Sequence, residues 1–394
     1  MNREEMYYNW MYHVPGIGKR TLKKMEEGGK TAEQIYGLES DGLSEYLAKR
    51  CGFKTETAKK TTCLILNRKK LISPESLKKI IEHKGIEYSI YNSRMYPNKL
   101  KEIPDAPFGL YAKGAGKVLE EFAGGKPTVA IIGARECSEY GRTVAKLLGR
   151  KCAEYGLGIV SGMARGVDAT AQRAGLEAGG SVAAVLGCGV DVVYPDSAAG
   201  LYGELCRNGC VYSEYIPGTE PKANYFPPRN RIISGMADAL VVVEARERSG
   251  TMITVDMALE QGRAVYIVPG RLTDPMSAGC NRLIKQGAEI VCDPDELFEE
   301  IREKDMFFSP QNHTKNCVGD VFGEKNPYPE ESVRYAVYRF LELGPASIQQ
   351  IYKRVSAEKE VDISSLSGEI LHMQMEGVLA SENGLFALVA KNAI

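Results

Sequence analysis

A chain of 394 residues is too long for one ordinary domain, and its 44% hydrophobic content is ample for at least one large core. With 50 Lys and Arg against 51 Asp and Glu, the formal charge of −1 excludes a bulk electrostatic affinity for nucleic acid. Any polyanion site must gather its cations on one face. The 10 cysteines form no CxxC pair, and His13, His83, His313 and His372 stand far apart with no HExxH. This excludes a disulfide-stapled fold and argues against a zinc centre.

The opening MNREEMYYNWMYHVPG lacks the apolar core of a signal peptide, and no stretch reaches the eighteen or so apolar residues of a membrane span. The expectation is a soluble, cytoplasmic protein. Residues 1–75 read as a small all-helical module whose helices are closed by glycines. Within it, Val14-Pro15-Gly16-Ile17-Gly18-Lys19-Arg20 is similar to a helix-hairpin-helix turn, giving a SAM/helix-hairpin-helix-like module. Contact with a DNA phosphate and plain helix packing are both open to it.

From 77 to 303 short apolar runs alternate with helical patterns: TVAIIGAR, LGIVSG, SVAAVLG, ALVVVEA, AVYIVPG and EIVCD. Continuous apolar strands joined by helices predict an α/β fold with a doubly wound parallel sheet. Residues 304–328 lack periodicity and read as a linker. Residues 329–394 read as three helices and a hairpin turning on Asn383-Gly384, the order of a winged helix. The outward residues expected on its third helix (Asp362, Ser364, Ser365, Ser367, Glu369) include no cation, which argues against strong duplex recognition.

In an open parallel sheet, ligands bind beyond the carboxyl ends of the strands, where helix N-termini offer free amides to anions. Four loops are placed there. Gly133-Ala134-Arg135 supplies a tight turn and a phosphate fork. Ser161-Gly162-Met163-Ala164-Arg165-Gly166-Val167-Asp168 supplies a hydroxyl, two glycines and a cation; Asp168 reads as a helix cap. The loop from Phe226 to Gly235 (FPPRNRIISG) joins Arg229, Asn230 and Arg231 to an aromatic ring on which a base stacks; a buried, structural Phe226 is the competing reading. Ser249-Gly250-Thr251 opens a helix as N-cap and anion cradle. No catalytic constellation emerges: there is no GxSxG and no GxxxxGK[ST], and Glu244 and Asp256 are the carboxylates to test as acid or base, each better explained by structure.

These runs, with GCGVDVVYP, SGTMITVDMALEQGR and GCNRLIKQGA in this order, resemble the DNA-processing protein A (DprA/Smf) family over roughly residues 100–300. The resemblance implies an extended Rossmann-like core, flanked by the helical module and the winged helix. It implies binding of single-stranded DNA, usually as a homodimer, without enzymatic activity or cofactor. It also implies protection of incoming strands during transformation and loading of the RecA recombinase. Carried over by motif, the DNA-binding residues are Arg135, Ser161, Gly162, Arg165, Gly166, Asn230, Arg231, Ser249, Gly250 and Thr251; the reading of the loops adds Gly133, Phe226 and Arg229. The alternative is a Rossmann-like nucleotide hydrolase related to phosphoribohydrolases, whose GTxxE carries a catalytic Glu; here Thr251 is followed by Met252-Ile253-Thr254-Val255. A transcriptional regulator reading DNA through the winged helix is a third class, disfavoured by the third helix.

Overall fold

The computed structural model describes residues 1–308, 328–329, 332–341, 346–356, 359, 361–382 and 385–388. It divides into two compact units, Met1–Glu299 and Glu300–Ile394.

The first unit opens with six helices: α1 (Arg3–Tyr12), α2 (Lys19–Glu27), α3 (Ala32–Gly37), α4 (Ser40–Lys49), α5 (Thr55–Leu71) and α6 (Pro74–His83). Their starts follow local chemistry. Asn2 and Thr31 form capping boxes with Glu5 and Gln34, and Ser73 caps α6 with Pro74 in its first turn. These helices are packed onto the sheet that follows. Tyr111 Oη donates to Asn9 Oδ1 at 2.7 Å, Tyr12 Oη donates to the Glu214 carbonyl at 3.0 Å, and the Tyr8 ring meets Phe108 edge-on.

The sheet has nine strands: β1 (Glu87–Ile90), β2 (Gly109–Gly114), β3 (Thr128–Ile132), β4 (Gly158–Ser161), β5 (Val182–Val185), β6 (Cys210–Ser213), β7 (Ala239–Val242), β8 (Ala264–Ile267) and β9 (Glu289–Ile290). Their spatial order is β1-β2-β6-β5-β4-β3-β7-β8-β9. From β6 to β9 every pairing is parallel; β2 joins β6 and β1 joins β2 antiparallel. The fold is therefore mixed α/β with a large, mostly parallel sheet. Six strands are those read from the sequence. The other three, β1, β2 and β6, are not marked there, because EYSI, GLYAKG and CVYS mix polar residues or glycine into short runs.

Helices join the strands: α7 (Gly116–Ala123), α8 (Glu139–Glu154), α9 (Val167–Glu177), α10 (Ala199–Asn208), α11 (Phe226–Gly235), α12 (Gly250–Glu260), α13 (Ala278–Lys285) and α14 (Pro294–Phe308). Strands β3, β4, β5 and β7 are buried throughout, and with residues such as Phe122, Ile233 and Val255 they build one continuous core. Two expectations are corrected. Phe226–Gly235 is a helix and not a loop, with Pro227 and Pro228 in the first turn, where no amide donor is needed. Residues 304–308, read as linker, continue α14; the remainder of that segment, with His313, lies outside the described residues apart from Tyr328.

In the second unit lie α15 (Val333–Leu341), α16 (Ile348–Val355) and α17 (Ile363–Met375). Strands β10 (Ala346–Ser347), β11 (Leu379–Glu382) and β12 (Leu385–Leu388) form an antiparallel sheet in the order β10-β12-β11. Its core gathers Val337, Ile351, Leu366 and Met373. The turn residues Asn383-Gly384 lie outside the described residues.

No described helix is long and apolar enough to cross a membrane.

Candidate nucleic-acid interface

The strand order reverses at β3: β4, β5 and β6 are added on one side and β7, β8 and β9 on the other. At such a reversal the loops after the two central strands diverge and leave a crevice at the carboxyl edge. A cavity of about 640 Å³ opens there, lined by Gly133, Ala134 and Arg135 after β3, and by Ala245, Arg246 and Ser249–Thr251 after β7. Phe226, Arg229 and Asn230 of α11 close it, with Tyr194 from the β5 loop. A second cavity of about 260 Å³ adjoins it across Arg135, Tyr194, Phe226 and Arg229, and takes in Gly162–Arg165.

Close backbone approach makes this edge possible. A Cβ on Gly133 would stand 2.7 Å from Val167 Cγ2, and one on Gly166 would stand 2.2 Å from the Ala134 carbonyl, where φ is also +78°. The loops after β3 and β4 are thereby locked together, with Val167 N–H donating to the Ala134 carbonyl at 3.2 Å. Glu244, buried at the end of β7, accepts hydrogen bonds from the Ser138 amide (2.8 Å) and hydroxyl. It fixes the start of α8, and this structural duty accounts for it. Asp256 is exposed on α12 and lines neither cavity.

The arginines divide into three kinds. Arg135 and Arg165 are exposed, and Arg135 lies 5.9 Å from the Phe226 ring centroid. Arg229 is 6% exposed and lies 5.8 Å from the same centroid. Its Nη1 donates to the carbonyls of Gly162 (2.9 Å) and Val185, tying β4 to β5. Its Nη2 has no hydrogen-bond partner among the described residues. Burial draws this guanidinium down to about 10, against the opposing pull of Asp168, so it stays cationic at neutral pH. Arg231 is turned away from both cavities. Its guanidinium donates to Glu214 (2.9 and 2.7 Å), to Asp105 Oδ2 (3.0 Å) and to the carbonyls of Asp105 and Pro228 (2.9 Å each).

Asp168, read from the sequence as a cap, accepts from Gly162 N–H at 3.1 Å and closes the β4 loop. Burial raises its carboxyl above the usual range while Arg229 pulls the other way. Ser249 is the N-cap of α12 by backbone, but its hydroxyl makes no capping bond and is buried without a partner. The first amides of that helix, Gly250 and Thr251, line the larger cavity beside it. Unpaired donors at a helix N-terminus next to three cations favour an anion.

The structure thus brings together Gly133, Arg135, Gly162, Arg165, Phe226, Arg229, Asn230, Ser249, Gly250 and Thr251. Three expected residues line neither cavity. Ser161 spends its hydroxyl on the Ile131 carbonyl at 2.7 Å, Gly166 serves backbone approach, and Arg231 is consumed by carboxylates. Phe226 is half-buried and not core, with its ring 5.4 Å from that of Tyr194. Tyr194 and Arg246 were not singled out by sequence. Each repeats a signal used elsewhere, an aromatic before proline and an arginine just past a buried strand. Among the described residues no cluster of three His, Cys, Asp or Glu is placed to hold a metal.

Comparison with known proteins points to one family. A family model described as DNA recombination-mediator protein A matches residues 87–302. The DNA processing protein DprA of Streptococcus pneumoniae is 41% identical over 206 residues, 52% of this chain and 71% of that protein. The X-ray structure of DprA from Streptococcus pneumoniae superposes with a TM-score of 0.57 at 34% identity, covering 72% of this chain and 98% of that one. DNA processing protein A from Helicobacter pylori, solved for its single-stranded DNA binding mode, gives a TM-score of 0.50 at 28% identity, covering 55% and 97%.

Proposed function

From the premise that the chain belongs to the DNA recombination-mediator protein A family, whose members process DNA and are not enzymes, we propose that it grips single-stranded DNA along the carboxyl edge of its sheet. One observation carries this reading: Arg135 and Arg229 lie 5.9 and 5.8 Å from the centroid of the half-buried Phe226 ring, in one cavity with the first amides and the orphan hydroxyl that open α12. The ring stacks a base, the guanidinium forks hold the neighbouring phosphates, and the helix N-terminus takes a further anion. The Helicobacter pylori relative's described single-stranded DNA binding supports it. In this role the chain protects incoming or recombining strands as a homodimer and passes them to RecA. The second unit, read as a winged helix from its helix and strand order, acts as an accessory. The hydrolase alternative finds no support: the position matching the Glu of GTxxE is Thr254, a residue that lines the cavity and brings no carboxylate.

The test is fluorescence anisotropy of a labelled oligothymidine. Wild type binds with an affinity that falls steeply with salt. Arg135→Glu combined with Arg165→Glu abolishes binding at concentrations that saturate wild type. Unchanged affinity in that double variant overturns the assignment.

A further inference from the structure

We infer that the exposed face formed by α2 and the chain around the start of α5 is a second polyanion surface, shaped for the backbone of duplex DNA. Residues 19–27 and 49–60 hold nine Lys and Arg against three Glu (Glu26, Glu27 and Glu56), in a chain whose formal charge is −1. The charges are therefore segregated onto this region. Two ties bring the segments together. Lys24 Nζ lies 5.5 Å over the Phe53 ring, and a Cβ on Gly16, at the entry to α2, would lie 4.0 Å from Leu64 Cδ1. The two segments thus approach each other at these two points. Arg20, Lys23, Arg50, Lys54, Lys59 and Lys60 are exposed. No described carboxylate forms an ion pair with any of these six, whereas Lys19 and Lys49 are held by Asp105 and Glu45.

The chemistry selects duplex over single strand. A single strand needs aromatic faces on which to stack its bases. The two segments hold a single aromatic residue, Phe53, so a strand laid along them has no succession of rings on which to stack. Cations without stacking groups suit a duplex, whose bases are already stacked and whose phosphates are the accessible feature. The turn into α2 adds open backbone: Gly16 has φ +81°, and Gly18 caps the helix without a side chain. This face is joined to the single-strand cavity by a chain of contacts. Lys19 pairs with Asp105 at 2.7 Å, Asp105 pairs with Arg231 at 3.0 Å, and Arg231 lies two residues from Arg229 on α11. A nucleic acid with a single-stranded tail beside duplex then engages both surfaces; the inference rests on the cavity reading for the tail.

The experiment compares the full chain on three labelled DNAs: oligothymidine, a blunt duplex, and the duplex carrying a single-stranded tail. Wild type binds the tailed duplex at least about tenfold tighter than either simple DNA. A variant with Arg20→Gln, Lys23→Gln, Arg50→Gln and Lys54→Gln loses that advantage and its blunt-duplex binding. Its log–log salt slope on duplex falls by roughly 3 to 4. Its unchanged oligothymidine affinity shows that it is folded. Unaltered duplex and tailed-duplex binding in this variant overturns the inference. So does a variant that keeps its DNA binding but loses adsorption to phosphatidylglycerol vesicles, which assigns the face to a lipid surface. The Arg135→Glu, Arg165→Glu variant separates the two readings: it loses oligothymidine and keeps the blunt duplex. If it keeps both, the cavity assignment fails and the basic face stands.

Discussion

At the scale of single residues, neighbouring arginines of α11 do opposite work because a helix turns by about 100° per residue. Arg229 looks toward the cavity and Arg231 toward Glu214 and Asp105, so their substitutions separate. Arg231→Ala leaves Glu214, itself only 13% exposed, without its partner. The expected loss is about 3–5 kcal/mol of stability, read from urea unfolding. Phe226→Ala is expected to leave stability nearly intact and to cost about 1–3 kcal/mol of oligothymidine affinity, with the salt slope unchanged. His13 reports on pH. Its Nδ1 donates to the Asn9 carbonyl at 2.8 Å, and burial lowers its pKa to about 4. The unfolded chain then binds the extra proton first, so stability is full above about 6.5 and falls as pH drops toward 4. His13→Gln should flatten that slope in denaturation curves between those values.

At the scale of elements, the loops after β3 and β4 form one piece, joined where α9 begins. Gly166 has to tolerate φ +78° and a carbonyl where a Cβ would sit. Gly166→Ala is expected to cost about 1–3 kcal/mol and to weaken DNA binding by displacing Arg135 and Arg165. A merely local effect would lower the melting temperature and leave affinity unchanged. The α12 terminus makes a different prediction. Since the Ser249 hydroxyl caps nothing, Ser249→Ala should cost the fold little, unlike an ordinary N-cap, where about 1 kcal/mol is lost.

At the scale of the whole molecule, the first 299 residues behave as one body because the antiparallel strands β1 and β2 give the helices a surface to pack on. Removing residues 1–72 would bare Phe108 and the buried Tyr88 and Tyr111; insoluble protein is the expected outcome on expression. Removing 329–394 should leave oligothymidine affinity unchanged, since the cavity residues lie in the first unit. Much of this architecture was legible in the chain itself. Unbroken apolar runs such as TVAII and ALVVV cannot be half-exposed strands, so they announced a sheet covered on both faces, and small residues after them marked its ligand edge. Arg135, Gly162 and Ser249–Thr251 were found this way, because position relative to a strand end is a local property. What only the folded molecule decided was direction and partnership: which of Arg229 and Arg231 faces the cavity, that Ser161 is spent on Ile131, and that Tyr194 stands beside Phe226. Each depends on contacts between residues as much as 126 positions apart, and no local pattern encodes them. Hydrophobic periodicity determines which elements form, whereas packing assigns each buried polar group its partner, and that assignment divides an arginine that lines the cavity from one held by carboxylates.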